Sequence, residues 1–551
     1  VKDDQINYVD YAVFYCRQDV NCLTQIMINF AQLLEGQGLE GINGTLPFSI
    51  SLWKYRTASS IGYDYFKKAV MLKKQGTEYV PAHNWCIPKS TLRYLVQQTI
   101  RGGRVMTRDN EKWYYKATDE SNYLQDYDGV SLYPSAMSLL WLTEGAPKLI
   151  KGDFTEEAIK LCFAPPDGDD NFSKYIYKDG CIHVTYINTR KDRHFPLLCV
   201  KDPKTKLNNY KNFHEETVNT WVNVIDLFNL MDFQDAEIHW DAAIVWEGER
   251  YFEIREGIQK LFEFRAQNKK HPIQMVIKLI LNSIFGKSIL KPQDREKVLV
   301  PKKGFRVDRE HGGYIEIDTW NEYFNANAYR IHRFEDLNGN FMDVELYKRD
   351  TSSSFNIFGS NVLAMARRII GRVMALAEDI EEQHPELSPG LFYTDTDSMH
   401  IRQDLLLLLE EEYKNKYGTE IKGSKLTQFH IDFDPPQTFM QDEIVKGACE
   451  SYFVMKKVYA DQLIGDKSSI DYHMRLKGIP IDLVKYENYK QIYDGEAVTF
   501  NMLDGHTSFF YKNGEVGSRF SMTREIMTRE AREKRKHPEE LDENKKSKLV
   551  F

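Results

Sequence analysis

The run Leu391-Phe392-Tyr393-Thr394-Asp395-Thr396-Asp397-Ser398-Met399-His400-Ile401 constrains the chain most. Two short apolar arms close on a polar tip that holds two aspartates, the pattern by which a β-hairpin presents carboxylates at its turn. Carboxylates this close repel each other, so such a tip is costly unless a cation sits there. Asp, Thr and Ser are also ordinary turn residues. From this stretch alone a solvated turn and a cation-holding tip stand on equal terms.

At 551 residues the chain exceeds what one core holds and suggests several domains or subdomains. With 42% hydrophobic and 28% charged residues it has the composition of a soluble globular protein. No apolar run is long enough to encode a membrane-spanning helix. The chain begins at Val1 with no signal-like or transit-like segment, and reads as a fragment, a processed product or an expression product. The net charge of -8 argues against a surface coated in basic residues, yet a nucleic-acid groove needs only local positive charge. The seven cysteines (Cys16, Cys22, Cys86, Cys162, Cys181, Cys199, Cys449) are scattered and form no C-x-x-C pair. They read as reduced thiols of an intracellular compartment, without a zinc site or disulfide framework, and leave cytoplasm, nucleus and mitochondrion open. In such a compartment the Asn43-Gly44-Thr45 and Asn171-Phe172-Ser173 patterns are chance matches to a glycosylation signal.

Residues 1–35 repeat Tyr8, Tyr11, Ala12, Tyr15, Cys22, Leu23, Ile26, Met27 and Phe30 at three- and four-residue steps, a helix closed by Gly36 and Gly38. Tyr15 and Asp19 lie one turn apart on it, by themselves a surface acid beside a half-buried ring. A further helical stretch is expected over 65–72. Ile100-Arg101-Gly102-Gly103-Arg104-Val105 sets paired glycines between cations, which suits close approach to a phosphate and equally a tight turn between strands. Residues 123–137 read as a strand ending in acid, a sharp turn, and a helix with Pro134 in its first turn. The further acidic positions of an EF-hand loop are missing. Residues 156–246 carry no catalytic cluster and read as an inserted subdomain, with a polar loop at 165–170, strands near 181–187 and 195–200, and a helix over 215–232. Residues 251–289 have helical period, and Lys278, Asn282 and Phe285 share one face at i, i+4 and i+7, opposite the apolar Ile277, Leu281 and Ile284. An Asn-Ser pair in mid-helix points to a functional face. Residues 291–355, with a serine run at 352–354, read as a second, β-rich insertion. Helix returns over 361–378 with Arg367, Arg368 and Arg372. The tail at 523–548, charged with both signs, reads as a solvated helix or frayed end.

Three of these segments, in this order, resemble the signature of family B DNA polymerases. Asp128-Gly129-Val130-Ser131-Leu132-Tyr133-Pro134 is similar to motif A, D-x-x-S-L-Y-P. Lys278-x-x-x-Asn282-Ser283-x-Phe285-Gly286 is similar to motif B, K-x-x-x-N-S-x-Y-G, and Tyr393-Thr394-Asp395-Thr396-Asp397-Ser398 to motif C, Y-x-D-T-D-S. The resemblance runs from Tyr15 to about Pro480. It is strongest to the protein-primed branch of viruses, linear plasmids and large self-synthesising transposons, whose long insertions between motifs A and B and between B and C are present here. Gly102-Gly103 resembles that branch's Y-x-G-G link, Ala366-Arg367 the A-R of its template-binding motif, and Lys457-Val458-Tyr459 the K-x-Y that holds the primer end. Tyr15-x-x-x-Asp19 resembles the family's third exonuclease motif. Three positions depart: Ile100 replaces the Tyr of the link, Leu363 a Thr of the template motif, and Phe285 the Tyr of motif B, which removes a hydroxyl and keeps the ring.

The resemblance implies an α+β, right-hand polymerase with an antiparallel palm sheet, helical fingers, a thumb and two terminal-region-like insertions. Its implied divisions are the end of an exonuclease domain (1–35), a connector (36–99), palm with motif A (100–150), first insertion (151–248), fingers (249–291), second insertion (292–355), palm with motif C (356–440), and thumb with tail (441–551). It implies a monomer that adds deoxynucleotides to a DNA primer on a DNA template with two Mg²⁺ ions, for which Mn²⁺ can substitute, and that takes a terminal protein as primer. Asp128 and Asp397, with the Gly129 carbonyl, are then the metal ligands, and Asp395 is acidic support. Lys278 meets the nucleotide's phosphates with Arg265 or Lys269, Asn282 and Phe285 flank the nucleotide, and Tyr133 excludes a 2′-hydroxyl by bulk. Gly102, Gly103, Arg367, Lys457, Tyr459 and Lys477 face DNA. With a single exonuclease motif, the chain is expected to lack proofreading. A family B polymerase primed by RNA or DNA shares all three motifs and stays open, as does an inactive DNA-binding relic. The spacing D-T-D, in place of adjacent aspartates, disfavours a reverse transcriptase or RNA polymerase.

Overall fold

Nine short strands, all paired antiparallel, build the sheet that carries the aspartates. The computed structural model describes residues 8–37, 41–44, 46, 51–54, 57–68, 72–75, 78–81, 90–163, 178–201, 208–290, 295–308, 310–337, 339–347, 355–433, 443–503, 511–512, 515–516, 521–528 and 531–532. Cys86, the Asn171 pattern, the 165–170 loop, the 352–354 serines and most of the charged tail lie outside the described residues.

Numbered within this sheet, the strands are β1 (Val105–Thr107), β2 (Trp113–Lys116), β3 (Leu124–Gly129), β4 (Leu391–Asp395), β5 (Ser398–Arg402), β6 (Phe429–Ile431), β7 (Val445–Met455), β8 (Val458–Gly465) and β9 (Ile470–Leu476). Their order is β9-β8-β7-β3-β5-β4-β1, with β6 also on β3 and β2 on β7. Along β3, strand β5 pairs from Arg402↔Leu124 to Ser398↔Asp128. By contrast β7 meets β3 at one register pair, Ala448↔Leu124. The sheet therefore has two halves. Phe392, Tyr393, Phe453, Tyr459 and Leu463 form one buried cluster across the join.

The helices that position the site are α1 (Tyr8–Leu34), α2 (Ala58–Phe66), α3 (Leu132–Leu139), α4 (Val224–Gln234), α5 (Glu253–Gln267), α6 (Ile273–Ser288) and α7 (Asn356–Gln383). Most of the 28 residues of α7 are buried, so its polar side chains need internal partners. Glu381 receives Arg108 through two bonds of 3.1 and 2.7 Å. Glu378 accepts the backbone N–H groups of His194 and Phe195, and Arg368 reaches Asn229 and Asp232.

The sequence expectations need local correction. The helix expected over 65–72 is α2, which starts earlier because the Thr57 hydroxyl accepts the Ser60 N–H at 3.4 Å; Leu72–Gln75 pairs instead with Glu78–Pro81 as a hairpin. The helix expected over 215–232 is half strand. Glu216–Asn223, rich in Thr and Val with Trp221, pairs with Asp179–Thr189, and α4 begins only where the Asn223 side chain accepts the Ile225 N–H at 2.9 Å. Over 195–200 only Cys199 and Val200 enter a strand, Cys199–Lys201. The long helical period of 251–289 splits into α5 and α6 at Pro272, which cannot continue a helix ladder. The two segments read as insertions also differ in packing. Strands Lys148–Phe154, Asp179–Thr189, Glu216–Asn223 and Ala236–Trp246 form one sheet whose Ile182, Val184, Ile238 and Trp240 enter the main core. Residues 295–347 close a small core of their own around Val300, Met342, Val344 and Leu346.

Helix α2 is pressed on α6 through Gly62, where a Cβ would stand 2.6 Å from the Ile280 carbonyl oxygen. An alanine in mid-helix ordinarily stabilises by about 1 kcal/mol, but a backbone clash in a close-packed contact costs about 1–3 kcal/mol and should dominate. Gly62→Ala is expected to lower the urea midpoint; an unchanged or raised midpoint would show that the helices can separate freely.

Candidate active site

Asp128 stands near the end of β3 and Asp397 in the two-residue loop between β4 and β5. They are joined by backbone: the Gly129 N–H donates to the Asp397 carbonyl at 2.8 Å. A Cβ on Gly129 would lie 3.3 Å from that oxygen and 3.4 Å from the Phe429 ring, so glycine lets strand, loop and ring meet. The loop is held from its other side. Thr396 takes φ +71°, its N–H donates to the Arg104 carbonyl at 2.8 Å, and Gly103 leaves room for its side chain, which a Cβ would approach to 2.5 Å.

This juxtaposition is electrostatically strained. Burial, then Asp397, Asp432 and Asp126, push the Asp128 carboxyl up to about 8, against the pull of Lys278. Burial, then Asp395 and Asp126, push Asp397 up to about 6, against its own backbone N–H and Lys278. Two half-buried hard-oxygen donors that resist ionising together fit a divalent cation such as Mg²⁺. Asp395 is differently placed. Both its oxygens accept from Lys457 Nζ at 2.8 Å, and Lys457, at φ +60° in the β7–β8 turn, donates its N–H to the Tyr393 hydroxyl at 2.9 Å.

The helical face of Lys278, Asn282 and Phe285 stands on α6, with Ile277, Leu281 and Ile284 buried behind it. Phe285 stacks on Tyr133, in the first turn of α3, at 4.2 Å and 29°. Lys278 is exposed, and its charge acts on both Asp128 and Asp397. Arg265, on α5, donates to the Ser131 hydroxyl at 3.0 Å and so braces the left-handed residue (φ +48°) that turns motif A into α3. Lys269 is exposed just beyond α5.

Two residues expected to touch DNA are instead buried. Arg367 is 5% exposed; its guanidinium forms two bonds of 2.8 and 2.7 Å to Asp226 and donates to the carbonyls of Arg101 and Gly102. Its donors are engaged within the protein, so it braces the Gly102 link and does not present itself to a phosphate. Tyr459 is also 5% exposed, its ring packed on Tyr393 at 4.7 Å and His400 at 5.1 Å, which withholds it from a primer end. The exposed Lys477 donates its backbone N–H to the Lys457 carbonyl and so sits beside that turn. Tyr15 and Asp19 lie on an exposed stretch of α1, with Tyr15 stacked on Tyr11.

Sequence reasoning missed the neighbours supplied by β6. His430 lies opposite Asp128, and the Asp432 N–H donates to the Asp126 carbonyl at 2.9 Å, which brings a further carboxylate toward Asp128. The alternating Phe429-His430-Ile431-Asp432-Phe433 run was the available signal.

Because both carboxyls titrate above their ordinary value of 3.8, the folded chain holds protons that the unfolded chain releases between about pH 4 and about pH 8. Their contribution is therefore most favourable at low pH and is lost as pH rises through about 6 and about 8. In metal-free buffer the thermal midpoint should fall across that window; Mg²⁺ should restore it, and Asp128→Asn should flatten it. Identical profiles for wild type and Asp128→Asn would contradict the coupling.

Comparison with known proteins agrees with this frame. The Phi29 DNA polymerase complexed with primer-template DNA, in its post-translocation binary complex, superposes with a TM-score of 0.51 at 15% identity, over 96% of this chain and 74% of that one. Its ternary complex with incoming nucleotide substrates gives 0.48 at 15% identity, over 86% and 68%. A probable DNA polymerase of Ascobolus immersus is 23% identical over 302 residues, 52% of this chain and 20% of that protein, so the chain spans about one fifth of that relative's length. The fold is thus the α+β fold of the Phi29 polymerase. Residues 2–356, well over half of the chain, match the family described as DNA polymerase type B, organellar and viral, and the chain belongs to that family.

Proposed function

We propose that the protein is a template-directed DNA polymerase that extends a 3′-hydroxyl with deoxynucleotides. The observation that carries this reading is the pairing of Asp128 with Asp397, two hundred and more residues apart in sequence, beside a lysine and a stacked aromatic pair. In the reaction the primer 3′-oxygen attacks the α-phosphorus of the nucleotide and pyrophosphate leaves. Asp128 and Asp397 would hold two Mg²⁺ ions, with the Gly129 carbonyl as a further oxygen donor and Asp395 holding the hairpin through Lys457. When bound, the ions supply Lewis acidity to the attacking oxygen and to the transferring phosphoryl group.

The chain's own residues bind and orient. Lys278 meets the phosphates, Lys269 adds a nearby cation, and Asn282 lines the nucleotide's side of α6. Tyr133, fixed by Phe285, sets a floor where a 2′-hydroxyl would clash. Lys457 and Lys477 flank the primer side. Initiation from a terminal protein is the finer part of the proposal, supported by the long segments between the motifs and by the Gly102-Gly103 link. Starting from an oligonucleotide alone is the competing mode, and a side-by-side priming assay separates them.

Replacing one carboxylate removes several kcal/mol of charge stabilisation, so Asp128→Asn or Asp397→Asn is expected to slow primer extension on the order of 10³-fold. Undiminished extension by both purified variants would remove the assignment. Tyr133→Val should lower discrimination against ribonucleotides by about 10- to 100-fold, the scale of a steric contact. Single-nucleotide incorporation with paired dNTP and rNTP measures it, and an unchanged ratio would exclude Tyr133 from that role.

A further inference from the structure

Beneath the proposed catalytic pair, on the same face of β3, lies a second cluster that polymerisation does not use. Asp126 is two residues before Asp128 and directly opposite His400 of β5. In the other half of the sheet, Ser451 of β7, Asp461 of β8 and His473 of β9 are successive cross-strand neighbours. The two sets face each other. His400 Nε2 and His473 Nδ1 both lie 3.1 Å from Asp461 Oδ2, and the Ser451 hydroxyl donates to Asp461 Oδ1 at 2.7 Å.

One nitrogen of each ring thus faces Asp461, and His400 Nδ1 and His473 Nε2 are the nitrogens turned away from that oxygen. His400 is fully buried and Asp126 nearly so, yet His400 Nδ1 and Asp126 Oδ1 have no hydrogen-bond partner. They stand 4.0 Å apart, too far for a direct bond and far enough for something between them. An orphaned nitrogen and an orphaned carboxylate oxygen at full burial each carry a desolvation cost of about 1–3 kcal/mol that a native core avoids. A carboxylate oxygen of Asp126 and one ring nitrogen from each histidine lie within 4.8 Å of one another.

We infer that Asp126, His400 and His473 form a site for a transition-metal ion of the zinc type, with Asp461 as the shared carboxylate behind both histidines. Imidazole and carboxylate donors suit Zn²⁺, and metal-binding histidines commonly have a carboxylate beside the ring, as Asp461 stands beside both here. The rings are fixed in orientation by edge contacts to Phe433 and Tyr459. His473 keeps 19% of its side chain exposed, which supplies an entry path and a position for water. The ion would tie β3 and β5 to β9, on the far edge of the other half-sheet, where the backbone ladder offers only Ala448↔Leu124. Its role is to hold the Lys457 turn in place against the motif C hairpin.

The test reads metal directly and does not depend on polymerase activity. Chelator-stripped protein is titrated with Zn²⁺, and separately with Co²⁺, in excess Mg²⁺ that keeps Asp128 and Asp397 filled. About one Zn²⁺ per chain is expected, with a Co²⁺ visible spectrum free of thiolate charge-transfer bands and a raised thermal midpoint. His473→Gln, partly exposed and near-isosteric, and Asp126→Asn should each abolish the stoichiometric metal and the Co²⁺ spectrum while retaining the far-UV circular dichroism of wild type; Asp397→Asn should retain both metal signals. No binding by wild type, or a Co²⁺ spectrum that persists in both folded variants, would overturn the site.

Discussion

The repulsion between Asp128 and Asp397 is the constraint on which the remaining architecture depends. Each carboxyl is pushed well above its ordinary range by burial and by neighbouring acids, so the arrangement survives only because backbone enforces it. The enforcing elements are ordinary sheet parts: the β3–β5 register, the Gly129 N–H on the Asp397 carbonyl, and the Thr396 N–H on the Arg104 carbonyl. A one-residue slip of β5 would turn Met399, now fully buried, toward the other face, so an apolar side chain two positions from Asp397 helps to protect the register.

A second layer of enforcement is ionic and lies out of water. Arg367 ties α7 to Asp226 of α4 and to the carbonyls of the Gly102 link, and Glu381 ties it to Arg108, just after β1. Buried pairs of this kind contribute little net stability against an apolar replacement, but removing one partner costs about 3–5 kcal/mol. Their value lies in directing the glycine link to one position beneath the motif C tip.

How much of this was legible in the sequence depends on whether a residue's role is local. Asp128, Asp397 and the Lys278 face announced themselves through short motifs and helical spacing, and the hairpin and the strand-turn-helix around Pro134 were readable from alternation and turn chemistry. The family match itself ends at residue 356, before motif C, so the junction of the two aspartates was an inference from pattern that coordinates alone could complete. What escaped was environment. A motif names Arg367 and Tyr459 but not the Asp226 or the ring cluster that enclose them, because those partners come from distant segments. Asp432 and His430 were hidden for the same reason, since only cross-strand pairing brings them to Asp128. The 215–232 segment misled because its helix-compatible period held β-branched residues that pair better than they coil. The cysteine pattern spoke only to thiolates, and had no bearing on histidines gathered from separate strands.

The join between the two half-sheets has a thermal consequence. Where strands share a full ladder, hydrogen bonds hold them at any working temperature; where Leu124 meets Ala448 alone, the burden falls on Phe392, Tyr393, Phe453, Tyr459 and Leu463. Apolar burial weakens on cooling. The seam is therefore tightest in warmth and slackens in the cold, leaving polar bonds such as Lys457–Asp395, Lys457–Tyr393, Gln125–Lys446 and His400–Asp461 to keep the two halves aligned.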